Sequence, residues 1–392
     1  MRFKKLLCVL TALVMAMTVF AGCSSTSTGS ADEDMSTMDF VLSMGLGINL
    51  GNTMECSGFT KETVTEYETA WGSPVITKRI IQGYADMGFG VIRIPVAWSN
   101  MMAEDYTINE EYLARVQEIV DWVLECGMKA IVNIHWDGGW WEDFSTEKET
   151  CMGKYESIWT QLSEAFKDYS LDLMFESLNE EGCWDDIWNR YGWSDEGKEE
   201  AFALLGEINQ TFVDIVRASG GNNELRHLLI AGYATDPELT CDELFVLPDD
   251  PSDRYAISVH YYAPSTFAVI DEDASWGKAE TTWGTDSDYA YLDSIMDLLY
   301  DTYVANGIPV IIGEYGCTTS NKMPDQIRNY ITSVCEAAYV RGMCPVLWDT
   351  TGTHYDRSSC EFYDMEIIEA FDEIKTLDRA VESSYTESEE AA

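Results

Sequence analysis

Eight short apolar, β-rich runs, separated by stretches of helical periodicity, constrain this chain more than any other feature. They are MGLGINL (44 to 50), FGVIRIPV (89 to 96), MKAIVNIHW (128 to 136), LDLMFESLNE (171 to 180), RHLLIAGY (226 to 233), YAISVHYY (255 to 262), IPVIIGEYG (308 to 316) and MCPVLWD (343 to 349). Runs that are apolar on both faces suit parallel strands covered by helices, and regular alternation with helices is the pattern of repeated βα units. Two helices are legible in detail. Asn109 caps one in which Tyr112, Leu113, Val116, Ile119, Val120, Val123 and Leu124 follow helical spacing up to Gly127. From Glu199 to Ala218 a second carries Phe202, Leu205, Ile208, Phe212, Ile215 and Val216 on one stripe, stopped by Gly220 and Gly221. The expected fold is α/β, a (β/α)8 TIM barrel in a single domain over residues 38–377, with working residues at the carboxyl ends of the strands.

At those ends the runs present, in order, Asn49 or Asn52, Arg93, His135, Asn179 with Glu180, Tyr233, His260 with Tyr262, Glu314 and Trp348. Each alone has an ordinary structural explanation, such as a buried ion pair for Arg93 or a core imidazole for His135. Their joint placement does not. Two carboxyl groups facing each other across a cleft are what cleavage of an acetal between sugars requires, one as proton donor and one as nucleophile or base. The chain holds four histidines, and two of them stand here. They lie on separate strands without metal-ligand spacing, so neither metal nor cofactor is expected.

Residues 1–22 carry Arg2, Lys4 and Lys5 before an apolar segment and a small-residue site, the pattern of an export signal. Ala21, Gly22 and Cys23 resemble a lipobox, which makes Cys23 the expected lipidation site; cleavage after Ala21 by ordinary signal peptidase is the alternative. Residues 23–37 read as a flexible tether, and 378–392 as an acidic disordered tail. The chain is therefore expected outside the cell, as a surface lipoprotein or secreted. With 24 basic and 69 acidic residues the net charge is −45. That field disfavours nucleic acid and leaves a lipid as the only expected contact with a membrane, whereas an uncharged polysaccharide is not repelled. A monomer is expected. Beyond Cys23 nine cysteines remain, an odd number with no C-x-x-C, and most read as small buried apolar residues.

The stretches GINLGNTME, VIRIPVAW, VNIHWDGGWW, FESLNEEG, SVHYYAPSTF, VIIGEYG and VLWDTTG together resemble glycoside hydrolase family 5, and over roughly residues 40 to 376 its bacterial endo-β-1,4-glucanases. The resemblance implies Glu180 as acid/base and Glu314 as nucleophile of a retaining mechanism. Asn52, Arg93, His135, Asn179, His260, Tyr262 and Trp348 would support them or bind substrate. It implies a β-glucan polysaccharide as the partner, with xyloglucan, mixed-linkage glucan or mannan as alternatives within the family. A non-catalytic glycan-binding surface protein is the alternative outside it. Thirteen tryptophans are present. Trp136, Trp140, Trp141, Trp184 and Trp283 are the expected sugar-stacking subsites, since flat rings match the apolar faces of pyranoses.

Overall fold

The computed structural model describes residues 34–182 and 184–385. The leader, Cys23, the tether up to residue 33, Cys183 and residues 386–392 lie outside the described residues.

All eight runs form strands. They are β1 (Gly47–Asn49), β2 (Val91–Ile94), β3 (Lys129–Asn133), β4 (Leu173–Glu176), β5 (Leu228–Ala231), β6 (Tyr255–Tyr261), β7 (Val310–Tyr315) and β8 (Cys344–Leu347). Each pairs in parallel with the next, and β8 returns to β1 through Gly47↔Val346, closing the barrel. The two helices read from sequence span Glu110–Glu125 and Lys198–Ala218. The Asn109 side chain accepts from the backbone N–H of Glu111 and Tyr112, as a cap should. Between β5 and β6 the crossover shrinks to a 3-10 turn, Tyr233–Thr235, and one α-helical turn, Pro237–Thr240.

The barrel interior is layered, because inward-facing positions recur every second residue. At the bottom Val91, Ile131, Met174, Leu229, Ala256, Ile311 and Cys344 meet in one apolar cluster. A first helix, α1 (Thr37–Met44), covers this end with Phe40, Val41 and Met44. Two residues further along the same strands the interior turns polar: Arg93, Asn133, Glu176 and Ser258 are all fully buried. The chain thus seals one end of the barrel with hydrocarbon and loads the other with hydrogen-bonding groups.

The acidic tail is not disordered over its described part. Residues 378–385 run back across the sealed end, where the Arg379 guanidinium donates to Leu42 O at 2.6 Å and Ala380 N donates to Val340 O at 2.7 Å. Asp39 of α1 accepts from Ser383 Oγ, Ser384 N and Ser384 Oγ. Composition alone misses this, because the segment is held by hydrogen bonds and has no apolar periodicity. The tether is likewise shorter than expected, since Ser36 already caps α1 through the N–H of Asp39.

All eight described cysteines are free thiols. Cys56, Cys151, Cys317, Cys335 and Cys344 are buried, and Cys126, Cys241 and Cys360 are partly so.

Candidate active site

Arg93 organises the polar end. Its guanidinium has no exposed surface and serves four acceptors: Nε donates to Glu176 Oε2 (2.6 Å), Nη1 to Asn49 Oδ1 (3.0 Å) and Glu314 Oε1 (2.7 Å), and Nη2 to Asn179 Oδ1 (2.8 Å). A rigid fork with five N–H groups suits this task, where a lysine could reach fewer partners. The other Glu176 oxygen accepts from Ser258 Oγ at 2.7 Å, so this buried carboxylate is satisfied on both sides. Burial raises the cost of every charge here, and the network is what allows charges to persist.

Glu314 is aimed into the cleft by an irregularity in its strand. The β6–β7 register runs from Ser258↔Ile311 to Val259↔Ile312, then slips so that His260 pairs with Glu314. Such a bulge turns a side chain that would alternate outward. Gly313, the residue passed over, lies so close to β6 that an added Cβ would stand 2.9 Å from Ser258 Oγ and 3.2 Å from His260 Nε2. Glu314 then accepts from Arg93 on one oxygen and from the Tyr262 hydroxyl (2.9 Å) on the other.

Glu180 follows Asn179 at the end of β4, its side chain 48% exposed at the mouth of the cleft. Its Oε1 lies 2.7 Å from His260 Nδ1, and the same nitrogen is 3.7 Å from Glu314 Oε2. Ligand atoms of Glu180, His260 and Glu314 all lie within 4.8 Å of one another. Confinement in the barrel mouth raises both carboxyls above the ordinary glutamate value, Glu180 against the pull of Arg93 and Arg190, Glu314 against that of His260 and Arg93. Donors to both oxygens hold the charge on Glu314, which leaves the proton to Glu180. Burial pushes His260 down to about 4 and His135 well below its usual value, so both rings are neutral at neutral pH.

His135 lies parallel to Trp348, ring centroids 5.6 Å apart at an interplanar angle of 6°. Asn49, the other candidate at the end of β1, carries the contact to Arg93, and its amide also donates to Gly313 O at 2.9 Å. Asn52 lies in the following loop, left-handed at φ 58°, with its backbone N–H on the Glu55 carboxylate. Tyr233 is buried and stacks on Phe202, a packing role.

The aromatic set divides differently from expectation. Trp141, Trp184 and Trp283 are buried at 3%, 1% and 5% exposure, so they hold loops together and offer no face to a sugar. The indole N–H of Trp184 donates to Trp141 O, and that of Trp141 to Trp136 O. Trp140 is half-buried, bonded to Asp137 at 2.7 Å and covered by the Lys154 ammonium 4.6 Å from its ring. Only Trp136 of the five is exposed, at 44%. Trp193 and Tyr191 after β4, Trp276 after β6, and Trp71 and Phe59 after β1 also present faces to solvent. Long loops need cores of their own, and sequence does not tell those rings from the displayed ones.

Sequence reading also missed Glu176, Ser258, Asn133 and Asp137. Asp137 ties two loops by accepting from Ser99 N and Oγ, both at 2.7 Å. The available signal was Glu176 itself, a charge inside an apolar run two positions beyond inward-facing Met174.

Residues 54–353 match the family model described as Cellulase (glycosyl hydrolase family 5). Among curated relatives, Endoglucanase A of Paenibacillus barcinonensis is 34% identical, the alignment covering 86% of this chain and 88% of that protein. A longer Cellulase/esterase of Acetivibrio thermocellus is 34% identical over 84% of this chain but only 38% of its own length. Among solved structures, a broad-specificity endoglucanase from an uncultured bovine rumen ciliate superposes with a TM-score of 0.78 at 35% identity, covering 87% of this chain and 98% of that one. A Caldicellulosiruptor lichenase, in complex with cellotetraose, gives 0.78 at 33% identity over 87% and 95%.

Proposed function

The chain belongs to glycosyl hydrolase family 5, and on that premise we propose that it is a retaining, endo-acting β-1,4-glucanase working outside the cell as a monomer. The observation that carries the retaining mechanism is the closeness of Glu180 and Glu314, whose facing atoms lie within 4.8 Å. Retaining pairs stand about 5–5.5 Å apart, and inverting pairs about 6.5–9.5 Å so as to admit a water.

In the first half-reaction the Glu314 carboxylate attacks the anomeric carbon while the glycosidic bond breaks and Glu180 gives its proton to the departing oxygen. In the second, Glu180, now ionised, takes a proton from water, whose oxygen displaces Glu314 and returns the anomeric configuration. Arg93 and Tyr262 stabilise the charge on Glu314 before attack and after release. His260, neutral and 2.7 Å from Glu180, orients the acid. Asn179, fixed by Arg93, suits a contact to the sugar 2-hydroxyl, and Trp348 with its partner His135 offers a flat surface to the ring.

Endo action is supported by the open mouth at Glu180 and by solvent-facing rings on four different loops. A cavity of about 200 Å³ beside Glu180, bordered by Ala234, Thr235, Tyr262, Ser265 and Tyr291, has room for a single-sugar branch. It favours the branched polymer xyloglucan as a second substrate. Export and attachment through Cys23, or plain secretion, complete the reading.

The test is reducing-sugar release from carboxymethylcellulose, barley β-glucan, xyloglucan and mannan by the intact chain and by Glu314→Ala, with product lengths followed over time. Medium-length products from glucans that vanish in the variant support the reading. Binding of these polymers without cleavage would replace it with a glycan-binding role.

A further inference from the structure

The reaction centre is also a set of metal donors. Glu180, His260 and Glu314 each turn one ligand atom toward the others, all within 4.8 Å. Donors about 2.0–2.1 Å from a tetrahedral zinc ion stand about 3.3 Å from one another. The two edges that meet at His260 Nδ1, 2.7 Å to Glu180 and 3.7 Å to Glu314, straddle that spacing. A tetrahedral ion would open the first edge by about 0.6 Å, close the second by about 0.4 Å and hold the two carboxylates at the same spacing, and Glu180, 48% exposed at the mouth, is the partner with room to move. The same exposure leaves a fourth position open to water.

Charge also fits. Arg93 contributes one positive charge against the carboxylates of Glu176 and Glu314, and displacing the Glu180 proton adds a third negative charge, leaving an excess of two. A divalent cation cancels it. The Tyr262 hydroxyl and the Arg93 guanidinium already orient Glu314, as outer partners orient ligands in metal sites.

We propose that Glu180, His260 and Glu314 form a site for a divalent transition-metal ion, one that shuts the enzyme off. One imidazole with two carboxylates suits zinc, cobalt or copper, whereas magnesium and calcium prefer all-oxygen shells. The ion is an inhibitor and has no place in the cleavage steps: it displaces the Glu180 proton and occupies the space of the scissile bond. The site rests on geometry, and the inhibition rests on the catalytic reading above.

Cobalt(II) added to the full chain without substrate tests the site. One equivalent is expected to give a visible ligand-field spectrum lacking the near-ultraviolet charge-transfer band of thiolate ligation, and both His260→Gln and Glu180→Gln are expected to lose it. The thiol control matters because Cys126, Cys241 and Cys360 are only partly buried. Circular dichroism shows whether each variant is folded, and Glu180→Gln, at the exposed mouth and of equal volume, keeps the test decisive if His260→Gln is not. In a separate assay on barley β-glucan, saturating cobalt is expected to slow hydrolysis about a hundredfold or more, the size of lost acid–base assistance, with recovery on adding a chelator and no effect of magnesium. Native-like cobalt spectra in both variants, a thiolate spectrum, or undiminished hydrolysis with one equivalent bound would each overturn the proposal. A chain that binds cobalt as described yet never cuts glucan leaves the metal site standing and removes the catalytic reading instead.

Discussion

Glu180 and Glu314 share one cleft and the His260 ring between them, and substitution separates their roles. Glu314→Gln removes the attacking group and is expected to abolish turnover of every substrate, including aryl cellobiosides with activated leaving groups. Glu180→Gln removes the proton donor, so polymer hydrolysis is expected to fall about a hundred- to ten-thousandfold. An aryl cellobioside that needs no proton should still give a burst of released phenol before turnover stalls. Stopped-flow absorbance reads the difference, and equal loss of the burst in both variants would contradict the assignment. These two residues, with Arg93 and His260, were legible in sequence because a polar side chain closing an apolar run has few structural reasons to be there. Glu176 was not, since its part appears only when strands β2, β4 and β6 bring Arg93 and Ser258 to its two oxygens. The tryptophans divide in the same way. Trp136→Ala is expected to raise KM for polymer roughly threefold to tenfold, about 0.5–1.5 kcal/mol of lost stacking, with little change in thermal midpoint. Trp184→Ala, at a buried ring, is expected to cost about 3–5 kcal/mol of stability and to lower the urea midpoint.

At the scale of elements, all eight strands were readable because a parallel barrel strand must be apolar on both faces, which leaves a continuous run in the sequence. The slip in β7 that aims Glu314 was not readable, because a bulge is a property of pairing between strands and leaves only Gly313 as its trace. The clasp between the tail and α1 escaped for a related reason: its parts are separated by some 340 residues and joined by polar contacts. Burial alone would raise the Asp39 carboxyl, but hydrogen bonds from Ser36, Ser384 and Ser383 overcome it and bring it to about 2. An acid held below its unfolded value stabilises the fold above that value and loses its contribution as pH falls toward 2. Deleting residues 378–392 is therefore expected to cost about 2 kcal/mol at pH 7, from several hydrogen bonds of about 1 kcal/mol or less each. The difference from the intact chain should narrow as pH drops from 4 to 2. Because the clasp closes the end of the barrel opposite the cleft, kcat on barley β-glucan should be unchanged, and a parallel loss of activity and stability would show that the two ends are coupled.

For the molecule as a whole, several buried acids combine with a large negative charge to set how stability responds to pH. Burial raises Glu55 to about 7 and Asp137 and Asp349 to about 6, each from a carboxylate value near 4, despite hydrogen bonds that pull the other way. An acid raised in the folded state favours folding fully below its unfolded value, and that contribution is lost as pH rises through the folded one. The window runs from about pH 4 to pH 7, and each group contributes on the order of 2 kcal/mol. The thermal midpoint is therefore expected to fall by at least about 5 °C between pH 5 and pH 8. Self-repulsion among 69 acidic against 24 basic residues also grows with pH, so a falling midpoint alone does not identify the cause. Salt separates the two. Exposed charges are screened over about 10 Å at 0.1 M and about 3 Å at 1 M, while groups without exposed surface are screened far less. If the drop persists in 1 M salt and flattens in Glu55→Gln, the buried carboxyls cause it; if salt abolishes it, the surface charge does, and the interior acids are better compensated than their burial implies.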